Sequence, residues 1–297
     1  MRRIATLTVA AAAMVAGAVG ITGAVPALAA QRPAPPASAY YLSLGDSLAQ
    51  GVQPNSQGVS VETKQGYPDQ LFTALRLGNP ALRLVKLGCP GETTGTMING
   101  GICTYKQGSQ LAQAVAFLKA HASATQLVTI DIGANDLNPC LALTDINQIV
   151  ACLEKVIPVA VQNLTTIMTQ LRTAGGTSLK IIGMSYYDPV LADWLLGTPA
   201  AQTLAQDSVA LAKGFNASLG QVYTGAGASV ANVYGAFHTG AFTATVTLPA
   251  FGVVPKDVGY ICMYTWECAA PPVGPNEHAN RLGYAVIANA FLTTYLG

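Results

Sequence analysis

The chain is 297 residues long, half of them apolar and only 10% charged, with a formal net charge of +1. That length suits one large domain or two small ones, and the sparse charge forms no basic stripe, which excludes nucleic acid as a partner. No HExxH, Walker loop or GxGxxG after a strand occurs, so metalloprotease, P-loop and dinucleotide-enzyme signatures are missing.

Arg2 and Arg3 open the chain with positive charge, a mainly apolar run follows from Ile4, and Ala27-Leu28-Ala29 closes it as a small-x-small site. That order predicts a secretory signal peptide over residues 1–29. The alternative is an uncleaved anchor, because the run approaches the roughly 20 residues that span a bilayer. The small-residue site favours cleavage, and no Cys follows it to carry a lipid. The mature chain is therefore expected to be secreted, without a stable membrane anchor. Its formal charge, once Arg2 and Arg3 are gone, moves from +1 to −1. Residues 30–38 read as a Pro/Ala-rich linker, extended and burying little. The folded domain is expected over 39–297, as one domain and a monomer, since no second linker or internal repeat is present.

Tyr40 to Leu44 is a short apolar strand running into Gly45-Asp46-Ser47. Tyr67 to Leu77 has helical spacing, and Leu82 to Leu87 reads as a second strand before a Gly-rich loop reaching Gly108. Gln110 to Ala120 is helical. Leu127 to Ile132 is a buried strand, after which Gly133-Ala134-Asn135-Asp136 turns. Ile146 to Thr173 is a long helix expected to break or kink near Pro158. Leu179 to Met184 is a strand, Thr203 to Leu219 a helix, Ala228 to Val233 a fifth strand, and Asn280 to Tyr295 a closing helix. Strands alternating with helices predict an α/β fold of three layers, α/β/α, around a central parallel sheet. In such folds ligands bind outside the carboxyl ends of the strands, where Ser47 and Asn135 would both project.

Six cysteines, Cys89, Cys103, Cys140, Cys152, Cys262 and Cys268, fall as three local pairs. Six allow 15 connectivities; sequential pairing closes short loops and is the one expected in an oxidising compartment. Metal binding is disfavoured, because no CxxC pair occurs and no His lies beside the cysteines.

A serine hydroxyl becomes a useful nucleophile only when a base takes its proton. Three histidines are available. His121 lies at a surface helix end, and His238 lies in a loop after the fifth strand. His278 sits in Gly274-Pro275-Asn276-Glu277-His278, just before the last helix, where functional groups are commonly presented. Nothing in this scheme requires a metal or an organic cofactor.

Gly45-Asp46-Ser47-Leu48 reads GDSL; Cys89-Pro90-Gly91-Glu92-Thr93-Thr94, Gly133-Ala134-Asn135-Asp136 and His278 with Gly283-Tyr284 follow in order. These four blocks resemble those of the SGNH (GDSL) hydrolases, especially exported actinobacterial-type lipases and esterases with three disulfides. The resemblance spans nearly all the mature chain. It implies a flavodoxin-like α/β/α fold and carboxylic ester hydrolysis. Ser47 would be the nucleophile and His278 its base, and the Ser47 N–H, the Gly91 N–H and the Asn135 side chain would form the oxyanion hole. Cys89 would pin the Gly91 loop and Cys140 the segment after Asn135. The loop from Cys262 to Cys268 either lines an acyl pocket or is a stapled surface loop.

The sequence departs from the family at one point. The family's Asp three residues before the His is here Pro275, and Asn276 carries no charge either. The Pro275 carbonyl is the expected orienting group for His278, ahead of Glu277, with Asp257 and Glu267 further off. The resemblance favours lipid or fatty-acyl esters as substrates. A carbohydrate O-deacetylase, a phospholipase and a catalytically inactive binding module are the alternatives.

Overall fold

A computed structural model describes residues 38–143 and 145–297. The signal peptide expected at 1–29 and the linker through residue 37 lie outside the described residues. Strand β1 (Ala39–Gly45) runs into the short helix α1 (Ser47–Gln50), followed by a small antiparallel pair, β2 (Gln53–Pro54) and β3 (Ser60–Val61). Helix α2 (Tyr67–Gly78) leads to β4 (Leu82–Lys86), and α3 (Thr94–Asn99) and α4 (Gln110–His121) lead to β5 (Thr125–Asp131). Next come α5 (Ala134–Leu141), the long α6 (Ile146–Gly175), β6 (Ile181–Met184), α7 (Pro199–Gly225), β7 (Ser229–Ala231) and α8 (Val233–Ala236). A hairpin of β8 (Thr245–Leu248) and β9 (Gly252–Pro255), then α9 (Lys256–Tyr264) and α10 (Arg281–Leu296), follow.

Five strands form one parallel sheet in the order β4-β1-β5-β6-β7. Helices α2 and α10 pack together on one face, while α4, α6 and α7 pack in sequence on the other. This is the three-layer arrangement expected. With both faces covered, the central strands are apolar almost throughout: Leu42, Leu44, Val128, Ile130 and Ile182 are all solvent-free. Each such side chain contributes roughly 1.5–3 kcal/mol by burial. Tyr67 of α2 stacks on Phe291 of α10 with ring centroids 4.7 Å apart, joining the two helices. The chain leaves β1 toward β4 on one side and later returns through β5 on the other. The crevice between the carboxyl ends of β1 and β5 is thus the topological switch point, where such sheets bind ligands.

Three features differ from the sequence expectation. Pro158 does not end its helix: α6 continues from Ile146 to Gly175 through it. Pro158 and Glu154, whose carbonyl loses its partner, both lie on the exposed face, where that carbonyl is open to solvent. The Gly-rich loop contains α3, opened by a reciprocal capping box between Thr93 and Thr96. And Gly133-Ala134-Asn135-Asp136 is the first turn of α5 rather than an isolated turn.

Candidate active site

The six cysteines form three disulfides in sequential pairs, Cys89–Cys103, Cys140–Cys152 and Cys262–Cys268. The first spans the loop that carries Gly91, and the second joins the end of α5 to α6. Between them they hold two of the segments that meet at the switch point.

Ser47 is the first residue of α1, directly after β1. Asp46 caps this turn, its Oδ1 accepting the Leu48 N–H at 2.9 Å. Gly45 lies at φ +138°, and a Cβ there would overlap the Asp131 carbonyl and carboxyl. Only glycine lets β1 and β5 approach this closely at their ends. The Gln110 side chain closes the same corner, accepting from Gly45 N at 2.7 Å and donating to Gly45 O at 2.9 Å.

Asn135 lies in the first turn of α5, at the end of β5. Its Nδ2 donates to the Glu92 carbonyl at 3.0 Å, and its Oδ1 accepts from Asn138 Nδ2 at 3.0 Å. An amide has two N–H groups, so one is committed to the loop from Cys89 to Thr94 and the other is left for the cleft. Asp136 makes a second tie: its carboxylate accepts the Thr94 N–H at 2.8 Å and the Thr94 hydroxyl at 2.6 Å. Gly91 sits in this doubly anchored loop at φ +80°, with open space where a Cβ would be. It is the left-handed backbone, not crowding, that calls for glycine here.

His278 lies between α9 and α10 and is buried. The Nδ1 partner is Asn276: its Oδ1 is 2.8 Å from His278 Nδ1 and also accepts the His278 backbone N–H at 3.1 Å. An oxygen accepts that N–H, so Nδ1 must carry the ring proton and Nε2 keeps its lone pair. Asn276 Nδ2 in turn donates to Ser60 Oγ on β3 at 3.1 Å. The orienting groups expected from the sequence, the Pro275 carbonyl and Glu277, are corrected by this geometry. The Asx turn brings the Asn276 side chain back over the ring, while Glu277 offers its backbone carbonyl to Tyr187 Oη at 2.7 Å. Burial lowers the His278 pKa from its ordinary 6.5, and the Glu277 charge partly opposes that shift.

The backbone around His278 is pinned as well. Trp266 N donates to the His278 carbonyl at 3.1 Å, Thr265 bridges to Ala279, and Asn280 Nδ2 donates to the Met263 carbonyl at 2.8 Å. The loop stapled by Cys262–Cys268 thus braces the histidine segment, and it contributes no side chain to the cavities beside Ser47. His238 packs tilted against Tyr260, ring centroids 4.2 Å apart, and His121 packs on Tyr40 and Phe117. Neither lines those cavities.

Two cavities meet at Ser47. One, of ≈ 110 Å³, is lined by Leu48, Ala134, Leu141, Tyr186, Tyr187 and Pro189. The other, of ≈ 430 Å³, is more polar, with Val52, Ser60, Glu62, Pro90 and Gly91. Ser47, Asn135, Glu277 and His278 line both. Among the described residues no hydrogen bond joins Ser47 Oγ to His278; such contacts are often loose before substrate binds. A larger groove, ≈ 620 Å³, lies at the opposite end of the sheet among Leu77, Leu82, Leu127 and Leu296 and holds no ionisable carboxylate or imidazole. A hydroxyl, an imidazole with a free Nε2, an amide N–H and a glycine loop around one point are the parts of acyl transfer.

The sequence profile of the GDSL-like lipase/acylhydrolase family matches residues 43–262. That span includes Ser47, Gly91 and Asn135 and stops short of His278. No curated protein matches in sequence. Among solved structures, an extracellular lipase of Streptomyces rimosus is 16% identical with a TM-score of 0.55, covering 86% of this chain and 100% of its own. A lipase from a goat rumen metagenome is 16% identical with a TM-score of 0.54, over 86% of this chain and 97% of its own. A phospholipase A1 of Streptomyces albidoflavus is 18% identical with a TM-score of 0.53, over 87% and 100%. At these identities the likeness is one of fold.

Proposed function

The chain belongs to the GDSL-like lipase/acylhydrolase family and is a carboxylic ester hydrolase, and from that premise we propose that it is an exported enzyme cleaving lipid or fatty-acyl esters through an acyl-enzyme on Ser47. The observation that carries this reading is the meeting of Ser47, Asn135 and a tautomer-locked His278 where the two cavities join.

In the proposed reaction His278 Nε2 takes the Ser47 proton as Oγ attacks the ester carbonyl. The oxyanion is held by the Ser47 N–H, the Gly91 N–H and the free Asn135 N–H, each such donor worth roughly 3 kcal/mol of barrier. His278 then protonates the departing alcohol, and water repeats the sequence to release the acid. Asn276 keeps the proton on Nδ1 throughout.

The apolar cavity suits the acyl chain and the polar one the alcohol. At ≈ 110 Å³ the apolar cavity is smaller than the engineered void of about 150 Å³ that holds benzene. It therefore encloses about four carbons, and a longer chain runs out past Leu141, which is half-exposed at the rim. The lipid reading is also supported by the lipase and phospholipase A1 neighbours. Export is supported by the three disulfides.

The test is a p-nitrophenyl ester series from acetyl to palmitoyl on the mature chain and on Ser47→Ala, with phosphonate labelling mapped by mass spectrometry. Activity should rise from acetyl to about butyryl, as the cavity fills, change little beyond, and vanish in Ser47→Ala, with the label on Ser47. Activity confined to acetyl would turn the reading to a deacetylase. A folded protein that neither hydrolyses any ester nor takes the label would be a binding module.

A further inference from the structure

Directly beneath Ser47, two carboxyl groups are buried without a basic partner. Asp46 follows the end of β1 and Asp131 ends the neighbouring β5; they are 2% and 0% exposed. The Asp46 N–H donates to the Asp131 carbonyl at 3.1 Å and approaches Asp131 Oδ2 at 3.4 Å. These two contacts bring the Asp131 carboxyl against the Asp46 backbone at one buried corner. Asp131 Oδ1 accepts the Tyr67 hydroxyl, and Asp46 Oδ2 accepts the Tyr186 hydroxyl at 3.2 Å. Asp46 Oδ1 is already engaged with the Leu48 N–H.

The groups around the pair are Tyr41 of β1, Tyr67 of α2, Tyr186 and Tyr187 after β6, Tyr223 of α7, Tyr284 of α10 and Asp136 of α5. Glu277 and His278 share a cavity wall with Asp46. Of these only His278 can be cationic, and it is held as the neutral base. The ion pair among the described residues, Lys86 with Asp69, lies elsewhere. Two carboxylates crowded at one dry corner without a cation cannot both ionise at neutral pH.

We propose that Asp46 and Asp131 share a single proton, held on Asp131, and that this protonated acid is a positioning residue that fixes the Asp46 cap and with it the Ser47 backbone N–H. This rests on the reading of that N–H as an oxyanion donor. Asp131 suits the role because its Oδ1 is engaged by Tyr67, leaving Oδ2 toward Asp46, which as carboxylate accepts Leu48 N–H, Tyr186 Oη–H and the Asp131 proton. Burial, and then the Asp46 charge, push the Asp131 pKa well above the carboxylate range. When the proton is lost at alkaline pH, two anions face each other under the nucleophile, and the capped turn that carries Ser47 is driven apart.

The test is an infrared measurement on the full mature chain together with pH profiles of kcat/KM, for wild type and Asp131→Asn. Asparagine keeps the shape, donates an N–H to Asp46 and accepts from Tyr67, but never ionises. At about pH 8.5, where Glu267 (pushed up to about 7) and Asp188 (about 6) are ionised, wild type should show the carbonyl stretch of a protonated, buried carboxylic acid, and Asp131→Asn should lack it. Asp131→Asn should keep kcat at neutral pH within about threefold of wild type, the effect of one neutral hydrogen bond or less, and lose the alkaline fall in activity. A wild type with no protonated-acid band, or a variant with an unchanged alkaline limb, would overturn the proposal. If Asp131→Asn does not fold, the wild-type band still decides it. The band does not depend on turnover, so its absence is distinct from a failure of the esterase reading.

Discussion

Replacing Asn276 by alanine removes the group that holds the Nδ1 proton of His278, and the size of the effect follows from its contacts. In the resting site the Oδ1–Nδ1 contact of 2.8 Å joins two neutral groups, worth about 1 kcal/mol. In the transition state the ring is cationic, and the same bond is worth about 1.5–3 kcal/mol. The difference, about 0.5–2 kcal/mol, is specific to the transition state and lowers kcat by about 2- to 30-fold. The ring is also freed to place its proton on Nε2, where it cannot accept from Ser47, so the loss belongs at the upper end of that range. Asn276→Asp places a carboxylate at the same atom. It should favour the charged imidazole and raise its pKa.

The sign is then fixed. In the proposed reaction neutral His278 is the active form, so kcat/KM falls as pH drops through its pKa. Burial has lowered that pKa from 6.5 in the wild type, so the wild-type acid limb lies below 6.5. In Asn276→Asp it moves upward, and the rate at pH above the limb equals or exceeds that of wild type. The assay is kcat/KM on p-nitrophenyl butyrate across about pH 5 to 9, with circular dichroism to confirm folding. An alanine variant within twofold of wild type at every pH, or an aspartate variant with an unmoved acid limb, would refute the assignment of Asn276.

Asp136→Ala cuts both hydrogen bonds to Thr94 and leaves the Gly91 loop held to α5 by the Asn135–Glu92 bond alone. Stability should fall by about 2 kcal/mol, the scale of bonds to a charged group, and kcat by at least about 10-fold, since misplacing one oxyanion donor costs 10²–10³; urea titration and steady-state kinetics measure each. Removing Cys89–Cys103, whose partners are 14 residues apart, should lower stability by about 3 kcal/mol by loop entropy. The same change at Cys262–Cys268, six residues apart, should lower it by about 2 kcal/mol, but raise KM and lower kcat through the His278 segment that it braces.

What could be read from the sequence was local. Ser47 and Asn135 follow apolar strands, and a parallel sheet brings strand ends together, so their meeting was implied by pattern alone. The cysteines paired as their short spacings suggested. Where the reading fell short, a side chain's direction or a partner from another strand decided the matter. Position 275 drew attention because the family motif places an acid there, but the side chain that turns back over the imidazole is one residue later, at Asn276. Asp131 carried no signal as a strand residue; its role appears only when β1 and β5 are in register, Gly45 beside Asp131. The aromatics between Cys262 and Cys268 suggested a pocket wall, yet it is the backbone of that loop that matters, through Trp266 N and the His278 carbonyl. Pro158 looked like a helix break because pattern does not tell which face of α6 is wet.

The neutral partner at His278 has a chemical consequence. A buried carboxylate at Nδ1 would stabilise the imidazolium and so raise the pKa of the base. Asn276 supplies the same geometry without the charge, leaving burial to hold that pKa down. In the proposed reaction the base therefore stays unprotonated at lower pH, while imidazolium formed during turnover receives less stabilisation, so more of the barrier is left to the proposed oxyanion donors. The segments that carry those donors are tied down: Asp136 on Thr94, Glu92 on Asn135 and Asp46 on the Ser47 turn. It follows that the rate should be more sensitive to loss of Asn135 than to loss of Asn276. Asn135→Ala is expected to lower kcat by about 10²–10³, beyond the 30-fold ceiling reached above for Asn276→Ala, and the reverse order of the two variants would mean that the imidazole partner, not the oxyanion hole, dominates the barrier.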